Sequence, residues 1–155
     1  MEIERKYLID ASNIPINLQQ YPHRTIEQGY LFTKPVLRIR KDGEHYELTY
    51  KSSGLMSREE YTLPLNKESY EQLLPKVSGH MIHKIRYVIP FQDNLAIELD
   101  VFSGLHKPLI IAEIEFPDQL TAERVIVPAW FGEEVTFSGK YHNSYLAQHG
   151  YSPSS

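Results

Sequence analysis

The chain has no cysteine, which excludes a disulfide framework, a cysteine nucleophile and a thiolate metal site. No apolar run approaches the length needed to cross a bilayer. The opening residues Met-Glu-Ile-Glu-Arg-Lys lack the apolar stretch of a secretory signal, so a cytoplasmic location is the expectation. Neither sign of charge prevails. With 16 basic and 20 acidic side chains the formal net charge is -4, which argues against binding nucleic acid or a membrane by bulk charge. There is no P-loop, no dinucleotide fingerprint and no G-x-S-x-G setting for a serine nucleophile. Repeats, low-complexity tracts and interdomain linkers are also absent. A chain of 155 residues, 41% hydrophobic, then reads as one domain over 1–151 with a flexible tail at 152–155.

What is present is alternation. Residues 2–9, 27–32, 36–41, 45–51, 58–63, 82–89, 95–102 and 109–116 each read as strands by their period of two and their β-branched and aromatic content. Lys41-Asp42-Gly43-Glu44 is a hairpin signal, because Asp-Gly tolerates positive φ. Helices are fewer: 66–77 behind the cap Asn66 and ended by Pro75, a short turn over 121–125 behind a Thr cap, and 143–149 closed by Gly150. Residues 10–24 read as irregular. Mainly β with a few helices, the pattern suggests an antiparallel barrel or a strongly curved sheet.

The chemistry lies in the parity of the charges. Alternate residues of a strand face opposite sides. Glu2, Glu4 and Lys6 share one face; so do Arg38 and Arg40; Glu47, Thr49 and Lys51; Arg58 and Glu60; Lys84 and Arg86; Glu98 and Asp100; Glu113 and Glu115. The opposite faces are mostly apolar. For any one strand, a solvated outer face is the simpler reading. The set as a whole weakens that reading, because the charged face is almost wholly Glu, Asp, Arg and Lys and is segregated strand by strand. Turned inward, such a face is costly unless its charges are compensated. A polyphosphate with a divalent cation compensates both signs: Arg and Lys clamp phosphate, and clustered carboxylates are hard oxygen ligands. The apolar faces would then point outward and need covering.

These residues carry a family resemblance. Glu2-Ile3-Glu4-Arg5-Lys6 resembles the ExExK signature of the CYTH superfamily, the triphosphate tunnel metalloenzymes. The resemblance continues in order through Gln28-Gly29-Tyr30-Leu31, Arg38-Ile39-Arg40, Leu48-Thr49-Tyr50-Lys51, Arg58-Glu59-Glu60-Tyr61 and Lys84-Ile85-Arg86-Tyr87. It extends to Glu98-Leu99-Asp100-Val101-Phe102, Ala112-Glu113-Ile114-Glu115-Phe116 and Tyr141-His142-Asn143, covering about residues 2–149. It implies an eight-stranded antiparallel β-barrel (tunnel) with a few helices packed outside, and hydrolysis of a triphosphate with Mg²⁺ or Mn²⁺. By motif, Glu2, Glu4, Asp100, Glu113 and Glu115 would bind metal. Lys6, Arg38, Arg40, Lys51, Lys84 and Arg86 would bind phosphates, with Arg58, Glu60 and Glu98 as further members of the lumen network. Glu2, Glu4, Lys6 and Lys84 stand as the catalytic candidates. Lys140 sits where a C-terminal basic residue reaches the tunnel in some members, and Tyr30 would touch substrate at the tunnel mouth.

Three functions follow from this resemblance. The first is an inorganic triphosphatase, converting triphosphate to diphosphate and phosphate. The second is another enzyme on the same fold, a nucleoside or thiamine triphosphatase or a class IV adenylyl cyclase; no distinct base-binding motif supports the cyclase. The third is a non-catalytic module that holds polyphosphate, for which so many carboxylates would be superfluous. His80 and His83 are three apart on a strand approach, so they would face opposite sides and make a poor metal pair. Trp130, Phe131 and the outward tyrosines read as packing. The exposed apolar outer surface would also allow a homodimer.

Overall fold

The hairpin at Asp42–Gly43 forms as expected. β3 (Val36–Asp42) and β4 (His45–Lys51) pair from Asp42↔His45 to Val36↔Lys51, and Gly43 takes the positive φ of 60° that the turn requires. The structure is a computed structural model that describes residues 2–54 and 56–151; the tail expected over 152–155 lies outside the described residues.

Around this hairpin the sheet is antiparallel throughout. β1 (Glu2–Leu8) pairs with β9 (Ile110–Glu115), β9 with β8 (Ala96–Phe102), β8 with β7 (Ser78–Pro90), and β7 with β2 (His23–Thr33), which leads to β3 and β4. β2 and β7 run longer than their alternation indicates. They pair out to His23↔Tyr87 and Tyr30↔Ser78, where ladder hydrogen bonds continue past the apolar stretch into exposed polar residues. The stave expected over 58–63 is divided. β5 (Ser57–Arg58) pairs with β1, and β6 (Glu60–Leu65) pairs with β4. Eight staves thus become nine strands, and the chain itself, at Glu59, carries the sheet from one edge to the other. Ser52 fixes that crossing: its N–H donates to the Glu59 carbonyl (3.0 Å) and its hydroxyl accepts from the Glu59 N–H (2.9 Å).

Two helices lie outside the barrel. α1 (Lys67–Leu73) starts at Asn66, whose side chain accepts from the Ser69 N–H, and gives way to a 3-10 turn at Pro75. α2 (Gln119–Arg124) is capped by Asp118 rather than by a threonine, since Asp118 accepts from both the N–H and the hydroxyl of Thr121. The short segment before β2 holds two 3-10 turns capped by Asp10 and Asn17. Among the described residues, no helix is long and apolar enough to cross a membrane.

The outward faces of β1, β7, β8 and β9 make the main apolar core. Tyr7, Tyr87, Ile97, Leu99, Ala112 and Ile114 pack beneath Ala122 of α2 and the segment holding Trp130 and Phe131. Full burial of an aliphatic side chain such as Leu99 or Ile114 stabilises the fold by about 1.5–3 kcal/mol. Trp130 and Phe131 meet edge to face, and Phe131 lies 5.1 Å from the Tyr7 ring, as the packing reading expected. Arg5 pins this cover by a two-pronged bond to Glu134 (2.5 and 2.7 Å) and by donating to the Ala122 carbonyl of α2.

The third helix, α3 (Asn143–His149), does something the sequence does not announce. Its buried Leu146 and Ala147 pack with Tyr30, Val36, Ile82, Phe102, Leu109 and Ile111. Those residues share strand parity with Arg38, Lys84, Asp100 and Glu113, so they belong to the inner face. α3 therefore closes one end of the barrel like a stopper instead of covering its outside. Gly79 (φ +75°) lets β7 approach it; a Cβ there would stand 2.5 Å from the Ala147 carbonyl oxygen. His106 locks the helix from the β8–β9 connection, its Nε2–H donating to the Leu146 carbonyl at 2.7 Å.

Candidate active site

The charged strand positions converge on the lumen. A cavity of about 230 Å³ is lined by Glu2, Glu4 and Lys6 of β1, Arg38 and Arg40 of β3, Glu47 and Lys51 of β4, Arg58 of β5 and Glu60 of β6. Lys84 and Arg86 of β7, Glu98 of β8 and Glu113 and Glu115 of β9 complete the wall. Glu4, Lys6, Arg38, Lys84, Arg86 and Asp100 are all buried, with Lys84 only 1% exposed. The inward parity read from the sequence is the parity of the structure.

The lumen charges are arranged in zones. At the seam between β1, β4 and β5, Lys51 Nζ stands 3.0 Å from Glu2 and 3.2 Å from Glu60, and Arg58 approaches Glu2 at 3.8 Å and Glu4 at 3.7 Å. Across the barrel, Asp100 accepts from Arg86 Nε and Nη2 (2.7 and 2.9 Å) and meets Lys84 Nζ (2.7 Å). With both oxygens occupied, Asp100 forms the wall behind the two cations and does not line the cavity. Arg38 donates to Thr49 (3.1 Å), and Arg40 donates to Gln28 (2.8 Å). Arg38 and Arg40 lie 3.7 and 3.8 Å from Glu47. Glu60, Glu98 and Glu115 stand nearer the open mouth, the first two about one-third exposed.

Burial makes these ionisations unequal. Glu113 is pushed up to about 7 by burial and by the Glu4 carboxyl facing it. Burial also works to raise Glu4, but its hydrogen bond with Glu113 and the Lys6 and Lys51 ammoniums outweigh it and hold Glu4 low. Of the two, Glu113 is therefore the carboxyl that keeps a proton more readily. Burial brings Lys84 down to about 7 against the pull of Asp100, helped by Arg86 and Arg40. Arg40 falls to about 9 through burial and its neighbours Arg38 and Arg86. Asp100 is held far below the ordinary carboxylate range: burial opposes this, and Arg86 and Lys84 overcome it.

One consequence is measurable. A carboxyl raised in the folded state binds a proton that the unfolded chain releases, so it lowers stability as pH rises from its ordinary 4.5 towards 7. Glu113→Gln, which imitates the protonated form, is therefore expected to raise the Tm of chelator-treated protein at pH 8 by roughly 5 °C. At pH 4.5 the gain should vanish. A melting scan at the two pH values checks this; an equal effect at both would refute the raised Glu113 carboxyl.

Among the described residues, no three carboxylate or imidazole groups converge tightly enough to hold an ion in the geometry seen here. The donor set nonetheless fits a hard divalent cation. Glu2, Glu4 and Glu113 line the same cavity, and Glu2 Oε1 is buried without a hydrogen bond although it lies 3.0 Å from Lys51.

Sequence reading missed several lining groups. Gln28, Thr62, His142, Asn143 and Ser144 all reach the cavity. Asn143, at the start of α3, accepts from Lys84 (2.9 Å) and from Gln28 (3.3 Å), so the stopper also orients a lumen lysine. The parity of Arg38 and Arg40 across the β2–β3 register could have found Gln28; nothing in the sequence places α3. Tyr30 lines the cavity at the end where α3 packs, its hydroxyl accepting from Gln28. Lys140 lines a neighbouring cavity and not the lumen. His80 and His83 are exposed on β7, outside the site.

The nearly closed antiparallel barrel thus gathers opposed carboxylates and cations in one cavity. The CYTH domain profile matches residues 1–142, and the chain belongs to the CYTH family. It is 41% identical over 149 residues to the inorganic triphosphatase of Nitrosomonas europaea, covering 94% of this chain and 96% of that protein. It is 33% identical over 155 residues to the inorganic triphosphatase of Acetivibrio thermocellus, covering 97% and 95%. The crystal structure of the inorganic triphosphatase NE1496 superposes with a TM-score of 0.69 at 37% identity, over 95% of this chain and 94% of that one.

Proposed function

We propose that the protein hydrolyses inorganic triphosphate to diphosphate and orthophosphate inside the barrel, with Mg²⁺ or Mn²⁺. The observation that carries this reading is the lumen itself: cations of β1, β3, β4, β5 and β7 face carboxylates of β1, β4, β6, β8 and β9 within one small cavity, and Lys6, Arg38, Lys51, Arg58, Lys84, Arg86, Glu2 and Glu4 are all buried there. Relatives named inorganic triphosphatases, alike over nearly the whole chain, support the choice of substrate.

Lys6, Arg38, Arg40, Lys51, Arg58, Lys84 and Arg86 hold the phosphate oxygens, with the arginines offering paired donors and the lysines point charges. Glu2, Glu4 and Glu113 would hold the divalent cation, with Glu115, Glu98 and Glu60 towards the mouth. A bound cation supplies charge neutralisation for the triphosphate and lowers the pKa of water. Asp100 is a positioning residue that fixes Lys84 and Arg86. Water adds to the terminal phosphorus as the bridging P–O bond breaks. Its proton passes to a lumen carboxylate, and the departing diphosphate keeps the electron pair, stabilised by the surrounding cations.

A substrate panel tests the proposal. With Mg²⁺ or Mn²⁺, inorganic triphosphate is expected to release orthophosphate faster than ATP or thiamine triphosphate. Cyclic AMP and diphosphate from ATP would replace the hydrolase by a cyclase, and tight binding without products would leave only a polyphosphate-holding module. A homodimer is part of the same proposal. Its support is the exposed apolar strip of Tyr50, Tyr61 and Leu63 on the outer face of β4 and β6, and sedimentation reads it directly.

A further inference from the structure

Among the described residues, the buried side-chain polar atoms without a hydrogen-bond partner are Glu2 Oε1, Arg38 Nε, Arg58 Nε and His142 Nε2. All four belong to residues that line the lumen. Leaving such atoms unsatisfied costs free energy, and in the wall of a polar cavity a bound ligand offsets that cost. Glu2, Arg38 and Arg58 are charged and suit a cation or a phosphate. His142 is the member of this set that no charge explains.

The setting of His142 is fixed. Its side chain is only 6% exposed, just ahead of α3. Its N–H donates to the Gly139 carbonyl (3.3 Å) and its carbonyl accepts from the Leu146 N–H (3.0 Å), so the main chain holds the ring at the lumen wall. Burial, then Lys6 and Arg58, bring the imidazole down to about 3, which leaves the ring neutral and a poor proton acceptor for water. A neutral imidazole still carries one N–H, and Lys6 and Arg58 have no acceptor to receive it. A phosphoryl oxygen has.

The charges nearby explain why a neutral donor suits this place. Lys6, Lys51 and Arg58 share the carboxylates of Glu2 and Glu4. A further buried cation would need a further counter-charge, whereas an imidazole can hold an oxygen without one.

We propose that His142 is a substrate-binding residue: its Nε2–H donates a hydrogen bond to a non-bridging phosphoryl oxygen of the triphosphate at the inner end of the lumen, beside Lys6 and Arg58. The inference rests on the triphosphatase reading and adds an uncharged anchor to its cationic clamps. The bond is made in the bound substrate and in the transition state alike, so it acts on affinity and not on the chemical step.

The test measures triphosphate turnover at saturating Mg²⁺ in wild type, His142→Phe and His142→Gln, with a melt of each protein. Phenylalanine keeps a flat ring and removes the nitrogens; glutamine restores a neutral N–H. His142→Phe is expected to raise KM about 10- to 100-fold, as for the loss of a hydrogen bond to a charged acceptor, with kcat within about threefold. His142→Gln should bring KM back to within about threefold of wild type. The Tm of substrate-free His142→Phe should not fall, because the variant removes an unsatisfied buried nitrogen. If the bulk of phenylalanine lowers it, His142→Leu takes its place, with the same rise in KM expected; a fall in Tm in both would make His142 a packing residue and overturn the proposal. An unchanged KM, a loss of kcat without a rise in KM, or equal impairment in the Phe and Gln variants overturns it too. So does a rise confined to the Mg²⁺ requirement, which would make His142 a metal ligand. Wild type that releases no orthophosphate from triphosphate would instead remove the hydrolase reading. The role of His142 is then decided by the rise in Tm that triphosphate produces, expected in wild type and His142→Gln and lost in His142→Phe.

Discussion

Glu4→Ala is expected to reduce triphosphate turnover by about 10³-fold while the barrel stays folded. Glu4 is 2% exposed at the centre of β1, facing Glu113 and lying 3.7 Å from both Lys6 and Arg58. Its loss removes an oxygen donor for the divalent cation and leaves Lys6 and Arg58 without one of the carboxylates that orient them. Stability should change less than for Asp100→Ala, because Arg58 keeps Glu2 at 3.8 Å and the substitution also ends the crowding of two carboxyls at Glu113. Lys6→Ala is expected to be comparably inactive, through loss of a phosphate clamp. Turnover at saturating substrate and Mg²⁺, with a circular dichroism melt of each variant, measures both halves of the expectation. Wild-type rates in either variant would remove ExExK from the reaction.

Asp100→Ala should have the largest effect on stability. Asp100 is 3% exposed and satisfies Arg86 and Lys84 together, so truncation leaves buried Lys84 without its counter-charge and Arg86 with only the part-exposed Glu98 at 3.5 Å. Breaking a buried pair from one side costs about 3–5 kcal/mol, which for a chain of this size lowers Tm by roughly 10 °C. A carboxyl depressed in the folded state contributes stability above its unfolded pKa, and that contribution is lost as pH falls through the folded value. The deficit of Asp100→Ala relative to wild type should therefore be full at pH 7 and shrink in strong acid. Affinity for triphosphate should drop as well, since Lys84, already brought down to about 7 by burial, loses the partner that keeps it charged. A melt at pH 7 indistinguishable from wild type would show that Asp100 does not bear this load.

Most of the lumen could be read from the sequence because a strand's side-chain period is two whatever its neighbours do. Glu2, Glu4 and Lys6, or Lys84 and Arg86, need no tertiary information to be assigned a common face. What parity cannot say is which charge meets which. The pairing of Asp100 with Lys84 and Arg86 follows from the β7–β8 register, where Arg86 lies opposite Asp100. Gln28 and Thr49 are neutral and do not stand out among charges, yet they hold Arg40 and Arg38. The helix over 143–149 was legible as a helix, but its docking into the barrel end was not. Leu146 and Ala147 are as consistent with an outer face as with an inner one until the strand ends that receive them are known. The break at Glu59 escaped for a related reason: one residue in mid-stave leaves no mark on a pattern of alternation.

That break has a mechanical consequence. Among the described residues, β1 and β5 are fastened by two residue pairs, Glu2↔Arg58 and Ile3↔Ser57, and by the Glu4 N–H donating to the Met56 carbonyl, while every other junction is longer. The short fastening is where Glu2, Lys51 and Arg58 gather. The side chains that grip an anion are therefore also the clasp of the hoop. The girth of the vessel and the hold on its contents are set by the same few ionic contacts.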